Sequence, residues 1–158
     1  MRRAGVMMLA AVIAIAAAGC GGGGGGGGDR LSKSEYEQEM SSIGKDLQTA
    51  SSGIDLTNTN DLGKVADSVA AFKKELEAAS NKVDDLNPPA DAEEETGKIA
   101  DALHAFAGEF GKMEEAARKG NLADLQKAQQ AVITEGTAAQ KAAQDLKNKG
   151  YNIGDLGS

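Results

Sequence analysis

An all-α fold, arranged as an antiparallel up-down-up-down four-helix bundle, is what the sequence predicts, and three observations carry the prediction. From Leu31 onward apolar residues recur at alternating spacings of three and four, which gathers them on one face of a helix. Breaks rich in Gly, Asn and Pro cut that pattern into four segments, and the Val/Ile/Tyr alternation of a strand is missing from the same stretch. A chain of 158 residues, 41% hydrophobic, is sized for one small domain. A helical region of roughly 120 residues buries enough surface to fold without a metal or a disulfide. The same three-four repeat also suits a longer coiled coil or an oligomer.

The first segment is of another kind. Arg2 and Arg3 precede an apolar run from Ala4 to Ala18, too short to span a bilayer comfortably, and the run closes on Ala17-Ala18-Gly19-Cys20. Small residues immediately before a cysteine make this segment resemble a bacterial lipoprotein precursor. The resemblance covers the first 20 residues. It implies a signal peptide over 1–19 with a lipobox at Ala17, Ala18 and Gly19, and a diacylglycerol-type lipid on the thioether of Cys20, the only cysteine. Other readings of the same residues are a twin-arginine export signal and a plain secretory signal that leaves a free thiol. Read as a lipoprotein, the chain is predicted to sit outside a bacterial cell membrane, anchored by lipid. Its net charge of −7 becomes more negative once Arg2 and Arg3 are removed, so the lipid and not the protein surface must provide the attachment.

Residues 20–31 are expected to form a tether. Gly21 to Gly28 contain a G-x-G-x-x-G pattern only trivially, with no strand before it and no Lys-Ser/Thr after it, so a nucleotide loop is rejected. A glycine coil of this length reaches about 20 Å.

Helix 1 is predicted over about 32–52. Ser32 and Glu35 form a capping box, with Ser34 and Glu37 as an alternative register, and Tyr36, Met40, Ile43, Leu47, Ala50 and Ile54 form the stripe. Helix 2, about 60–86, starts at Asn60 and stops at Asn87-Pro88-Pro89, where proline removes a donor and restricts its predecessor. Helix 3, about 90–119, carries Asp91, Glu93, Glu94 and Glu95 in its first turns, and its stripe includes Phe106 and Phe110. Helix 4, about 121–149, opens at Asn121 and ends at Gly150, a left-handed C-cap. Its stripe of Leu122, Leu125, Val132, Ala139, Ala143 and Leu146 is interrupted by Gln129 and Gly136. The small residues here suit close packing on helix 1 or 3, or an edge that awaits a partner helix. Residues 151–158 read as a tail. The opening Leu31-Ser32-Lys33-Ser34-Glu35-Tyr36 and the Ala/Gly-rich composition resemble small helical lipoproteins of high-GC Gram-positive bacteria, a resemblance that implies no particular activity.

Chemistry-bearing motifs are scarce. His104 has no cysteine or second histidine to share a metal with, no serine lies in a nucleophile elbow, and the acidic, aromatic-poor composition does not suit nucleic acid. No enzyme activity, resident metal or cofactor beyond the lipid is expected. Two surfaces remain. Asp84, Asp85, Asp91, Glu93, Glu94 and Glu95 flank the prolines, a corner that is either solvated and neutralised by Lys82, Lys147 and Lys149 or a weak site for a divalent cation. Ile54 and Leu56, in the connection between helices 1 and 2, either plug the bundle end or contact a partner. The expected role is a protein-binding or envelope-structural module, with recognition of a small ligand or cation as the alternative.

Overall fold

The computed structural model describes residues 29–54 and 61–154. The predicted signal segment, lipobox, Cys20, most of the tether, Leu56 and Asn60 lie outside the described residues. Four helices and no strand occur among the described residues: α1 (Lys33–Ser51), α2 (Leu62–Asp84), α3 (Glu93–Arg118) and α4 (Leu122–Asn148).

Each helix end is set by local chemistry. At α1 the expected capping box is present: the Glu35 amide donates to Ser32 Oγ at 3.3 Å, and the Ser32 amide donates to the Glu35 carboxylate at 2.8 Å. For α2 the start predicted at Asn60 is corrected. The cap is Asp61, whose carboxylate accepts from the Lys64 amide, because an Asp one residue later can reach the same orphan donors. Helix α3 begins three residues later than expected. Pro89 O first accepts the Ala92 amide at 2.9 Å in a tight turn, and no side chain caps Ala92, so Glu93, Glu94 and Glu95 meet the positive end of the helix dipole directly.

The last two helices share one device. Gly120 and Gly150 have φ of 67° and 85°, the left-handed conformation that ends a helix without a Cβ clash. At Gly150 the amide donates to Lys147 O and the Tyr151 amide to Leu146 O, a Schellman pair. At Gly120 the corresponding bonds go to Ala117 O and, from Asn121, to Ala116 O. Asn121 then caps α4 by accepting from the Asp124 amide, so one residue closes α3 and opens the next helix.

The core is formed by the predicted stripes, with Tyr36, Met40, Val69, Leu76, Ile99, Met113 and Leu146 all essentially inaccessible. Helices adjacent in sequence pack together: α1 on α2, α2 on α3 and α3 on α4. No Cα of α1 comes within 8 Å of a Cα of α4. Ala128, Ala142 and Ala143 of α4 are buried, and the helix whose backbone approaches α4 is α3.

Two boundaries move. Residues 151–153 are no tail, since Tyr151 and Ile153 are buried in the core. The tether ends before Arg30: the Leu31 amide donates to Asn87 O at 2.8 Å, and Arg30 donates to Pro88 O at 2.9 Å and to Glu93 at 2.7 Å. Leu122 and Phe106 also depart from expectation. Leu122 is 55% exposed at the first position of α4, and Phe106 is only half-buried. No described helix is long and apolar enough to cross a membrane.

Candidate functional site

The separation of α1 from α4 leaves an apolar cleft of about 510 Å³, to which all four helices contribute. Its floor is Phe72 and Leu76 from α2 with Ile99, Leu103 and Phe110 from α3. One wall is Leu47 with Ile54 just beyond the end of α1, and the other is Val132, Gly136 and Ala139 from α4. Phe72 and Phe106 each meet Phe110 edge-on, with centroids at 4.9 and 5.1 Å, so the three rings form a fixed aromatic surface.

The reason the cleft exists is legible along α4. Leu125 and Ala128 near one end and Ala142, Ala143 and Leu146 near the other are buried, whereas nothing between them is. The helix is held at both ends and bridges the opening. At its middle stands Gly136, where a Cβ would meet only the Phe106 ring, at 3.6 Å, an ordinary van der Waals distance. Ile133 sits at the mouth and is 72% exposed. None of the sixteen lining residues is charged, in a chain of which 26% is charged; the polar members are Gln48, Ser51, Thr137 and Gln140.

The opposite end of the molecule is closed by polar contacts. Tyr151 packs edge-on against Tyr36 at 5.4 Å, lies under the Lys33 ammonium at 4.9 Å and donates its hydroxyl to Asp91 at 2.7 Å. Burial, then the Asp91 carboxylate, push the Tyr151 phenol up to about 12. The same hydrogen bond holds the Asp91 carboxyl below its ordinary range. Lys149 bridges the Glu95 carboxylate and the Asp91 carbonyl oxygen, and its hydrogen bond lowers the Glu95 pKa. Deeper in, the Tyr36 and Thr96 hydroxyls share a hydrogen bond of 2.7 Å, and at the surface the Asn152 amide donates to Glu37 at 2.8 Å.

These contacts decide what the acidic corner can do. Asp91 is engaged by Tyr151, Glu93 by Arg30, Glu94 by Lys98 and Glu95 by Lys149, while Asp84 and Asp85 stand exposed at the end of α2. Among the described residues no three His, Cys, Asp or Glu side chains are placed together to hold a metal. The corner contains the Arg30–Glu93 and Lys149–Glu95 ion pairs and the Tyr151–Asp91 hydrogen bond, which join separate chain segments, and the Lys98–Glu94 pair, which lies within α3. Of the lysines expected to neutralise it Lys149 does so, but Lys82 pairs with Asp46 across α1 and α2. Ile54 is half-buried against the core and forms part of the cleft wall. His104 is exposed.

The cleft is what sequence reasoning missed. Its signal was the interruption of the α4 stripe at Gln129 and Gly136. Compared with known proteins, the chain matches no family model, no curated protein and no solved structure.

Proposed function

We propose that this chain is a lipid-anchored, extracytoplasmic helical module that works by binding and not by catalysis. The observation that carries the reading is the uncharged cleft between α1 and α4. A folded domain gains about 25 cal/mol for each Å² of apolar surface it buries, so an opening lined by three phenylalanines forgoes stability that closure of the helices would supply. Its volume falls in the range of about 300–1,000 Å³ typical of ligand sites. It lacks the convergent acid, base or nucleophile that chemistry on a substrate needs.

In this reading residues 1–19 direct export, Cys20 carries the diacylglycerol-type lipid, and the helices run up-down-up-down from the tether. The docking of Arg30 and Leu31 at the Asn87-Pro88 corner brings the chain that follows the tether to that end, which supports reading it as the end nearer the bilayer and the cleft as lying farther out. An envelope protein as the occupant is a second reading, favoured by Ile133 at the mouth and by Leu122, 72% and 55% exposed, which add apolar surface outside the cleft.

Two measurements test the assignment. Cys20→Ala should shift the protein from the membrane to the soluble fraction, and unchanged membrane association with the signal removed contradicts the anchor. In native envelopes, photocrosslinkers at Ile133 should capture a neighbour that the same probe at His104, on an exposed site outside the cleft, does not; identical captures from both positions contradict a binding role for the cleft.

A further inference from the structure

We infer that the cleft holds a single aliphatic chain bearing an uncharged, hydroxyl-rich head, as in a monoacylglycerol. The inference rests on the binding-module reading and names the ligand class of that same site.

Charge selects the class. An anionic head, whether carboxylate or phosphate, calls for Lys, Arg or a helix N-terminus, and none lines the cleft; a cationic head calls for Asp, Glu or an open aromatic cage, and no carboxylate lines it either. What the rim offers is neutral. The Ser51 hydroxyl donates to Gln48 O at 2.9 Å and the Thr137 hydroxyl to Ile133 O at 3.0 Å, so each proton is committed to its own helix and each oxygen keeps lone pairs that can accept. A head that donates hydroxyl protons matches them, and the Gln48 side-chain amide supplies both donor and acceptor beside Ser51.

Size is compatible with a small lipid: the cleft of about 510 Å³ lies within the range of about 300–1,000 Å³ typical of small-molecule sites. A flexible hydrocarbon fits against Phe72, Phe110 and Leu103 without directional bonds. Gly136 points the same way. Mid-helix glycine weakens α4 and its backbone has no need of a positive φ, so its effect is to keep the wall thin where α4 passes the Phe106 ring, which a Cβ would meet at 3.6 Å.

The experiment uses the mature chain with Cys20→Ser, which retains every described residue, prepared without detergent. The neutral solvatochromic dye Nile red is titrated in, then displaced by monoolein and separately by oleate, whose chain is the same but whose head is a carboxylate. One dye per chain, displaced by monoolein at least tenfold more effectively than by oleate, is expected. Gly136→Leu, which fills the cleft from α4, and Leu47→Phe, which fills it from α1, should each weaken dye and monoolein binding at least tenfold while melting at or above the temperature of the parent. Binding unaltered in whichever of these variants stays folded, or oleate preferred, overturns the inference. Absence of any dye or monoolein binding overturns it too, and the Ile133 crosslinks then decide separately: if they persist, the module reading stands with a protein occupant, and if they vanish, both fall.

Discussion

The two ends of α1 live in different surroundings. At its start the chain is pinned from three directions, by Leu31 on Asn87, by Tyr151 on Tyr36 and by Asn152 on Glu37. At its finish Leu47 and Ile54 face an opening across which α4 makes no backbone approach. The difference shows how a chain with one small core distributes it: segments outside the helical repeat, residues 30–31 and 151–153, concentrate stability at one end and leave the other free to open.

The sharpest way to break this comparison is to remove the fastening. Tyr151→Ala deletes a buried ring together with its hydroxyl bond to Asp91, and should cost about 3–5 kcal/mol in denaturant unfolding. Leu47→Ala, on the half-buried cleft wall, should cost less than half as much. Equal losses would mean that the two ends do not differ.

A second contrast lies within the aromatic trio. Phe110 is 4% exposed and contacts both other rings, whereas Phe106 is half-buried at the cleft. Phe110→Ala should lower stability by about 3–5 kcal/mol, and Phe106→Ala by distinctly less. Thermal melts of the two variants check the order, and a larger drop for Phe106 would place it in the core.

Smaller effects come from pH. Asp91 and Glu95 have depressed carboxyl pKa values in the fold, so their contribution is present above the ordinary carboxylate range and is lost as pH falls through the folded values. Tyr151 behaves in the opposite sense. Its phenol is raised from about 10 to about 12, so its contribution is complete below pH 10 and disappears as pH rises toward 12. Melting temperatures of the parent and of Tyr151→Phe should therefore converge over that alkaline interval; a constant gap between the curves would show that the hydroxyl does not titrate with folding.

Most of the helical layout was legible in advance. The Ser32/Glu35 box, the proline stop and the Gly150 cap act over a few residues, and local chemistry of that range is written in local sequence. Tyr151 and Ile153 were not legible because the helical repeat ends at Gly150, and their burial depends on which surface the extended segment meets. Their spacing of two, one side of an extended strand-like segment, was the available hint. The acidic corner was legible in part: its neutralisation by Lys149 was expected, whereas the pairing of Glu93 with Arg30, sixty-three residues away, has no local sequence signal. The cleft was least legible, since a weak stripe on α4 indicates a gap in packing without saying which helices stand on either side.

The central claim is that the space between α1 and α4 is open by construction, and Gly136→Leu tests it most directly. Replacing a mid-helix glycine removes a helix-propensity penalty of about 1 kcal/mol and adds apolar contacts if there is room. Equilibrium urea unfolding should then show Gly136→Leu at least as stable as the parent, by up to about 1–2 kcal/mol. A loss of more than about 1 kcal/mol, the mark of overpacking, would mean that Phe106 closes the wall at Gly136 and contradict an open space there.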